Sequence, residues 1–351
     1  MNVAFFPYRK DYSYIIRMLN SDPRLHIVAG VIPNGFSSET SSELSIPVYG
    51  KVQDVFEIVD TVIFFPIDNR AYLIKIVEET LLNHKNAICY IDFSEQEIVA
   101  LEKLAESNGV GCKIPGDEID MSVLQRRSDV YTQQESIIVA VGALTQGMDT
   151  SAAVTSLRVA LAECGYRVAV VATKREACVL GGKFLPLDRL ISSNLDQTIV
   201  FINRFFTFFQ IVHHPDIIIL QLPDEGLHRV SNDYETCFGA KTFLISQAVD
   251  IDYSVILSPI IGLDSSVFSV LSEISKQRYG FGYNAIGIDN SSIDMLVSSG
   301  TSSLRYFKEN EELATSTAGR LREESEGEIV YFSTSEKWQN ALANSVIESL
   351  S

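Results

Sequence analysis

Over its first 119 residues the chain alternates short apolar runs with stretches in which apolar residues recur at helical spacing. That alternation is the signature of βαβ units around a parallel sheet. The runs predict strands at 3–7, 26–32, 61–67 and 87–91. The periodic stretches predict helices at 12–19, 52–59, 70–82 and 95–107, the last opening on Ser94 as its N-cap. The pattern lapses between Met121 and Glu135, a polar stretch that predicts a domain boundary. The expected organisation is a Rossmann-like domain over residues 1–125 and a second domain over 134–351.

The second domain restarts with an apolar strand at 136–141, a loop from Gly142 to Ser151, and a helix that runs to Glu163 and closes on Gly165 in the C′ position. Further runs predict strands at 166–172, 216–222, 253–259 and 284–288, with a long helix at 195–212. On that helix Leu195, Ile199, Ile202, Phe205, Phe206 and Phe209 share a face, so they are expected to pack on the sheet rather than to line a ligand site. Residues 308–328 hold seven Glu against three Lys plus Arg and predict a solvated excursion. A last strand at 329–332 and a closing helix with Trp338, Ala341, Leu342, Ser345 and Val346 on its inner face complete the chain. The fold class read from this order is α/β: an N-terminal Rossmann-like parallel sheet followed by a C-terminal sheet of P-loop NTPase-like layout.

The first strand-to-helix turn excludes the usual cofactor of a Rossmann unit. A dinucleotide fingerprint needs glycines there, so that pyrophosphate can approach the helix N-terminus. This turn reads Phe6-Pro7-Tyr8-Arg9-Lys10-Asp11, without a glycine, and Tyr8 and Arg9 are expected to crowd the approach.

The corresponding turn of the second domain carries the frame of a phosphate loop. Gly142 and Gly147 are separated by four residues, with a strand before and a helix after, as in G-x-x-x-x-G-K-[ST]. The chemistry also needs a lysine for the terminal phosphates and a hydroxyl for magnesium. At those positions stand Met148 and Asp149. A charge pair at about 4 Å is worth about 4 kcal/mol at an effective dielectric of about 20. Losing that attraction and adding a carboxylate costs roughly a thousandfold in affinity. The loop is therefore read as degenerate, with Asp149 serving as helix N-cap.

The residues that frame any ligand of this loop are Gly142, Thr145, Gln146, Gly147, Asp149, Thr150 and Ser151. Thr150 and Ser151 offer hydroxyls one residue late, and Lys174 is the leading substitute cation because it follows the next strand; Arg175 and Lys183 are further basic candidates. The strand of the second marker, Ile217 to Leu222, carries Gln221 within it. Asp224 and Glu225 follow only after Pro223, displaced from where a magnesium-positioning acid ends such a strand. No resident cofactor or metal is expected, and ATP with magnesium is the alternative.

Charge narrows the partners. With 45 Asp plus Glu against 28 Lys plus Arg, the net charge of -17 opposes the counterion release that drives nucleic-acid binding and disfavours anionic membranes. No stretch reaches the ~20 apolar residues of a membrane span, and the N-terminal residues lack a signal-peptide core. Five scattered cysteines without metal-ligand spacing read as reduced core thiols of a cytoplasmic protein.

The segments VAVGALTQGMDTS, PDIIILQLPDEG, FGAKTFLISQAVDIDYSVILSP and FGYNAIGIDNSSID together resemble the clostridial peptide-maturation-system proteins. Those are encoded beside a radical SAM enzyme and an acyl-carrier-related protein in gene clusters for ribosomally made, modified peptides. The resemblance spans nearly the whole chain and implies an accessory role, with the precursor peptide or a maturation enzyme as partner. More distantly the layout is similar to P-loop proteins of the dethiobiotin-synthetase type, whose lysine is absent here. Two other expectations follow from the residues: an ATP-dependent ligase or NTPase with a rearranged loop, and a scaffold that forms a homo-oligomer through its acidic C-terminal region.

Overall fold

The computed structural model describes all residues except 10–11, 21, 34–45, 68, 117–134, 146, 180, 192–193, 231–232, 237–238, 261–264, 295–297, 299–303, 305, 325–328, 333–335 and 350–351. The expected boundary at 121–135 thus lies almost wholly outside the described residues. The chain forms two compact units, one of Met1–Ile119 with Lys174–Phe184, the other of Asp120–Thr173 with Leu185–Ser351.

In the first unit six strands, β1 (Asn2–Phe6), β2 (His26–Val31), β3 (Val48–Tyr49), β4 (Thr61–Phe64), β5 (Asn86–Cys89) and β6 (Cys112–Lys113), form one sheet in the order β3-β2-β1-β4-β5-β6. Every pairing is parallel. That is the doubly wound Rossmann order. Helices α1 (Ser13–Asn20), α2 (Arg70–Leu82) and α3 (Glu95–Ser107) supply crossovers, and the stretch expected as a helix at 52–59 is a 3-10 turn, Val52–Val55. Ser94 and Glu97 form a reciprocal capping box at the start of α3. The two-residue edge strands β3 and β6 are too short to show periodicity, which is why the sequence pattern passes over them.

The carboxyl ends of β1, β4 and β5 are filled with aromatic side chains. Phe65 stacks on Phe5, Tyr12 and Tyr90 at centroid distances of 5.7, 4.7 and 5.3 Å. Tyr8 is buried, and its ring lies so close to Gly30 that a Cβ there would sit 2.5 Å from it. The segment Lys174–Phe184, with β9 (Lys183–Phe184), belongs to this unit. In it Arg175 is buried, with its guanidinium 4.1 Å from the Phe184 ring and donating to the Pro115 carbonyl.

In the second unit β7 (Ile137–Ala143), β8 (Val168–Ala172), β10 (Ile217–Glu225), β13 (Tyr253–Ser258), β14 (Ala285–Ile288) and β17 (Ile329–Phe332) stand in the order β17-β14-β13-β7-β10-β8. They too pair in parallel. The strand that leads into the phosphate loop is therefore central, flanked by β10 and β13. Two antiparallel hairpins, β11–β12 (Leu227–Val230, Asp233–Thr236) and β15–β16 (Ser291–Ile293, Tyr306–Lys308), are added to this frame. The helices are α4 (Thr150–Glu163), α5 (Leu187–Leu190), α6 (Leu195–His213), α7 (Ala240–Ala248), α8 (Ser265–Tyr279), α9 (Glu311–Glu324) and α10 (Glu336–Ser349).

On α6, Ile202, Phe205, Phe206 and Phe209 are buried as expected, but Leu195 is 53% exposed. The acidic stretch after Lys308, expected as a solvated excursion, is helical and largely exposed. It forms α9, which buries Ala314, Ala318 and Leu321, small and apolar residues recurring at helical spacing among the glutamates. Of the cysteines, Cys89 and Cys178 are buried, whereas Cys164, at the end of α4, is exposed and not a core thiol.

Candidate functional site

β7 does not release at Gly142. It continues to Ala143, whose carbonyl accepts from the Gly226 N–H at 2.7 Å, and Leu144 donates its N–H to the Leu257 carbonyl at 2.8 Å. The register also pairs Glu225 with Ala143. Backbone that a nucleotide-binding loop keeps open for phosphate is here bound into the sheet on both sides. A Cβ at Gly142 would meet Leu222 at 3.1 Å and Ile256 at 3.4 Å, so this glycine serves close packing between neighbouring strands.

Gly147 has φ of +85°, which glycine adopts without penalty. Over it lies the ring of Tyr306, so close that a Cβ would sit 2.6 Å away. Met148 is buried with Ala143 and Leu257, with Ala153 and Tyr306 packed against them. The lysine position of the frame therefore holds an apolar plug. Thr145 is 2% exposed and its hydroxyl has no hydrogen-bond partner. Gln146 lies outside the described residues.

Asp149 caps α4 as expected, accepting from the Ala152 N–H at 2.8 Å. Its own N–H donates to Oδ2 of Asp289 at 3.3 Å. Asp289, at the carboxyl end of β14, is completely buried. Its Oδ1 accepts from Lys308 Nζ at 2.9 Å, from the Ser291 N–H at 2.9 Å and from the Ser291 hydroxyl. The carboxylate thus collects a cation, two main-chain N–H groups and a hydroxyl, a set in which a buried charge is tolerated.

On the other side of the helix start, Gln221 is buried and its side-chain amide donates to Thr150 Oγ1 at 2.9 Å and Ser151 Oγ at 3.1 Å. Gln221 stands where the second marker brings its strand to the loop, and a neutral amide takes the hydroxyls that would otherwise face a metal.

Of the residues singled out from the sequence, Gly142, Thr145, Gly147, Asp149, Thr150 and Ser151 are brought together around one loop, with Gln221 added to them. Lys174 belongs to the first compact unit, as does Lys183, whereas the loop belongs to the second. The side chains of Asp224 and His228 lie outside the described residues. The sequence reading passed over Asp289, Ser291, Tyr306 and Lys308. Asp289 carried a usable signal, since it directly follows an apolar strand at the edge where open α/β sheets bind ligands. Lys308 carried none, since it opens the acidic stretch.

Among the described residues no cluster of three or more His, Cys, Asp or Glu side chains is arranged to hold a metal ion, and no helix is long and apolar enough to cross a membrane. No family model matches the chain, and no curated protein does. Among solved structures, a DUF1611 family protein from Anabaena variabilis ATCC 29413 is similar over 99% of both chains, with a TM-score of 0.64 and 13% identity. That likeness shows the two-part α/β fold. Weaker similarities are to an ADP complex of a nucleotide-binding protein from Archaeoglobus fulgidus, with a TM-score of 0.33 and 14% identity over 58% of this chain and 84% of that one, and to homoserine dehydrogenase of S. aureus, with a TM-score of 0.27 and 16% identity over 32% of each chain.

Proposed function

We propose that this chain acts by binding rather than by hydrolysing a nucleoside triphosphate, as an accessory protein in the maturation of a ribosomally made peptide. Its partner is the precursor peptide or a maturation enzyme. The observation that carries the first part is the apolar plug at the loop: Met148 is buried at the lysine position, and the Tyr306 ring covers Gly147 at a distance that leaves no room for a phosphoryl group. The second part rests on the resemblance of the four segments quoted above to peptide-maturation proteins. An acidic surface is compatible with a cationic peptide or a basic partner. On this proposal, copurification with the products of the adjoining genes is expected to give a stoichiometric complex with a precursor peptide or a maturase. Absence of binding to every neighbouring gene product overturns the proposal.

One observation favours a second reading, a ligase or NTPase with a rearranged loop. Lys308 reaches the same carboxylate that the Asp149 N–H reaches, so a lysine stands near the loop from another strand. Calorimetric titration with magnesium ATP separates the two readings. The binding proposal expects no heat at millimolar nucleotide, and the second reading expects binding that Lys308→Ala abolishes.

A further inference from the structure

We propose that the outer surface of the helix layer formed by α6, α7 and α8 is a self-association face, and that its occupant is a second copy of this chain related by a two-fold axis.

The chain moves the same way across the sheet in three successive crossovers, β8 to β10, β10 to β13 and β13 to β14. Right-handed connections therefore set α6, α7 and α8 on one face of it, and α7 packs against both of its neighbours. On α6, Ile202, Phe205, Phe206 and Phe209 are buried inward. At 100° per residue, Arg204 and Ile211 fall on the opposite side of that helix. Large apolar side chains stand out from each member of the layer: Ile211 and Val212 on α6, Phe243 on α7 and Val270 on α8 are between 42% and 57% exposed. A helix that is apolar all round is ordinarily covered all round.

Size and charge point to a second copy as the cover. Taken as rods about 10 Å across with 1.5 Å of rise per residue, helices of 19, 9 and 15 residues present roughly 650 Å². Two copies then bury about 1,300 Å² together, above the ~1,000 Å² that a specific interface needs. The whole chain carries a net charge of -17, so two copies repel wherever their acidic surfaces meet. The three helices are the exception: Asp196 and Glu273 stand against Arg204, Lys241, Lys276 and Arg278, a net of +2. The layer is also self-complementary. A two-fold axis along α7, the middle helix, lays α6 of one copy over α8 of the other. Arg204 stands halfway along α6 and the exposed Glu273 near the middle of α8, so each cation meets the carboxylate of the other copy, and the two Phe243 rings meet at the axis.

Sedimentation equilibrium of the full chain tests this. The wild-type protein is expected to sediment at twice the chain mass. Phe243→Glu and Ile211→Glu, both at exposed positions, are each expected to weaken association at least about tenfold. Val99→Glu, at an exposed apolar position of the first unit, is expected to leave it unchanged. Arg204→Glu should weaken association, and Arg204→Glu with Glu273→Arg should restore it. Circular dichroism confirms that each variant is folded, and either glutamate variant serves if the other does not fold. A wild-type monomer at about 100 μM overturns the inference. So does a dimer that the folded Phe243→Glu and Ile211→Glu variants leave intact, and so does a charge swap that restores nothing.

Discussion

Gln221 donates its side-chain amide to the hydroxyl of Thr150 at 2.9 Å, both groups buried where β10 meets the first turn of α4. The same amide reaches Ser151 at 3.1 Å. Strand and helix are thereby locked by neutral groups at the point where a nucleotide enzyme places a carboxylate, a hydroxyl and a metal. Replacing Gln221 by Leu leaves two buried hydroxyls without this donor, and urea denaturation should show a loss of about 1–3 kcal/mol.

Restoring the lysine of the frame should not restore nucleotide binding. Met148→Lys places an ammonium among Ala143, Leu257, Ala153 and Tyr306, apolar surroundings that disfavour its charged form. The expected outcome is a lower Tm, by a loss of roughly 2–4 kcal/mol, with a flat ATP titration. A folded variant that binds ATP tightly contradicts the plugged-loop reading.

Breaking the buried pair from the cation side is costly. Lys308→Met leaves the fully buried Asp289 carboxylate with hydrogen bonds but no counter-charge, and chemical denaturation should show a loss of about 3–5 kcal/mol. The double variant Asp289→Asn with Lys308→Met should recover much of it, because no uncompensated charge remains.

Gly147→Ala meets two obstacles, a backbone φ of +85° and the Tyr306 ring 2.6 Å from the added Cβ. Pairing it with Tyr306→Ala removes the collision but not the backbone cost of roughly 1 kcal/mol. Thermal melts of both single variants and the double should show this partial, non-additive rescue.

Acid should weaken the first unit through Glu97. The Arg70 guanidinium beside it, with help from the Ser94 N–H and hydroxyl and against some desolvation, holds its carboxyl at about 2, below the usual 4.5. A carboxyl depressed in the folded state stabilises above its unfolded pKa, and that contribution fades as pH falls from about 4.5 toward about 2. Both side chains are partly exposed, so solvent screening limits the effect to about 1 kcal/mol. Glu97→Gln should cost that much at neutral pH, and the gap to wild type should close near the lower end of this window.

Local rules reach a large part of the molecule. Ser94 as an N-cap, Arg70–Leu82 and Glu95–Ser107 as helices, Asp149 capping α4 and Gly165 beyond its end all depend on neighbours within about one helical turn, and the structure has them so. The apolar runs likewise mark the central strands, since a strand covered on both faces must be apolar throughout. The short edge strands, the exposure of Leu195 and the helix within the acidic stretch depend on what packs nearby, and local pattern misplaced them.

The sequence by itself determined the α/β class, the phosphate-loop frame of Gly142 and Gly147, and the loss of its lysine at Met148, because each of these is a residue type at a fixed spacing. Only the tertiary structure decided what fills that frame. Asp289 and Lys308 lie 140 and 159 residues beyond Asp149 in the chain, and no periodicity links them to it. A buried carboxylate must find its donors wherever the fold brings them. Here the parallel sheet sets the end of β14 beside the start of α4, and the β15–β16 hairpin returns the lysine to the same point.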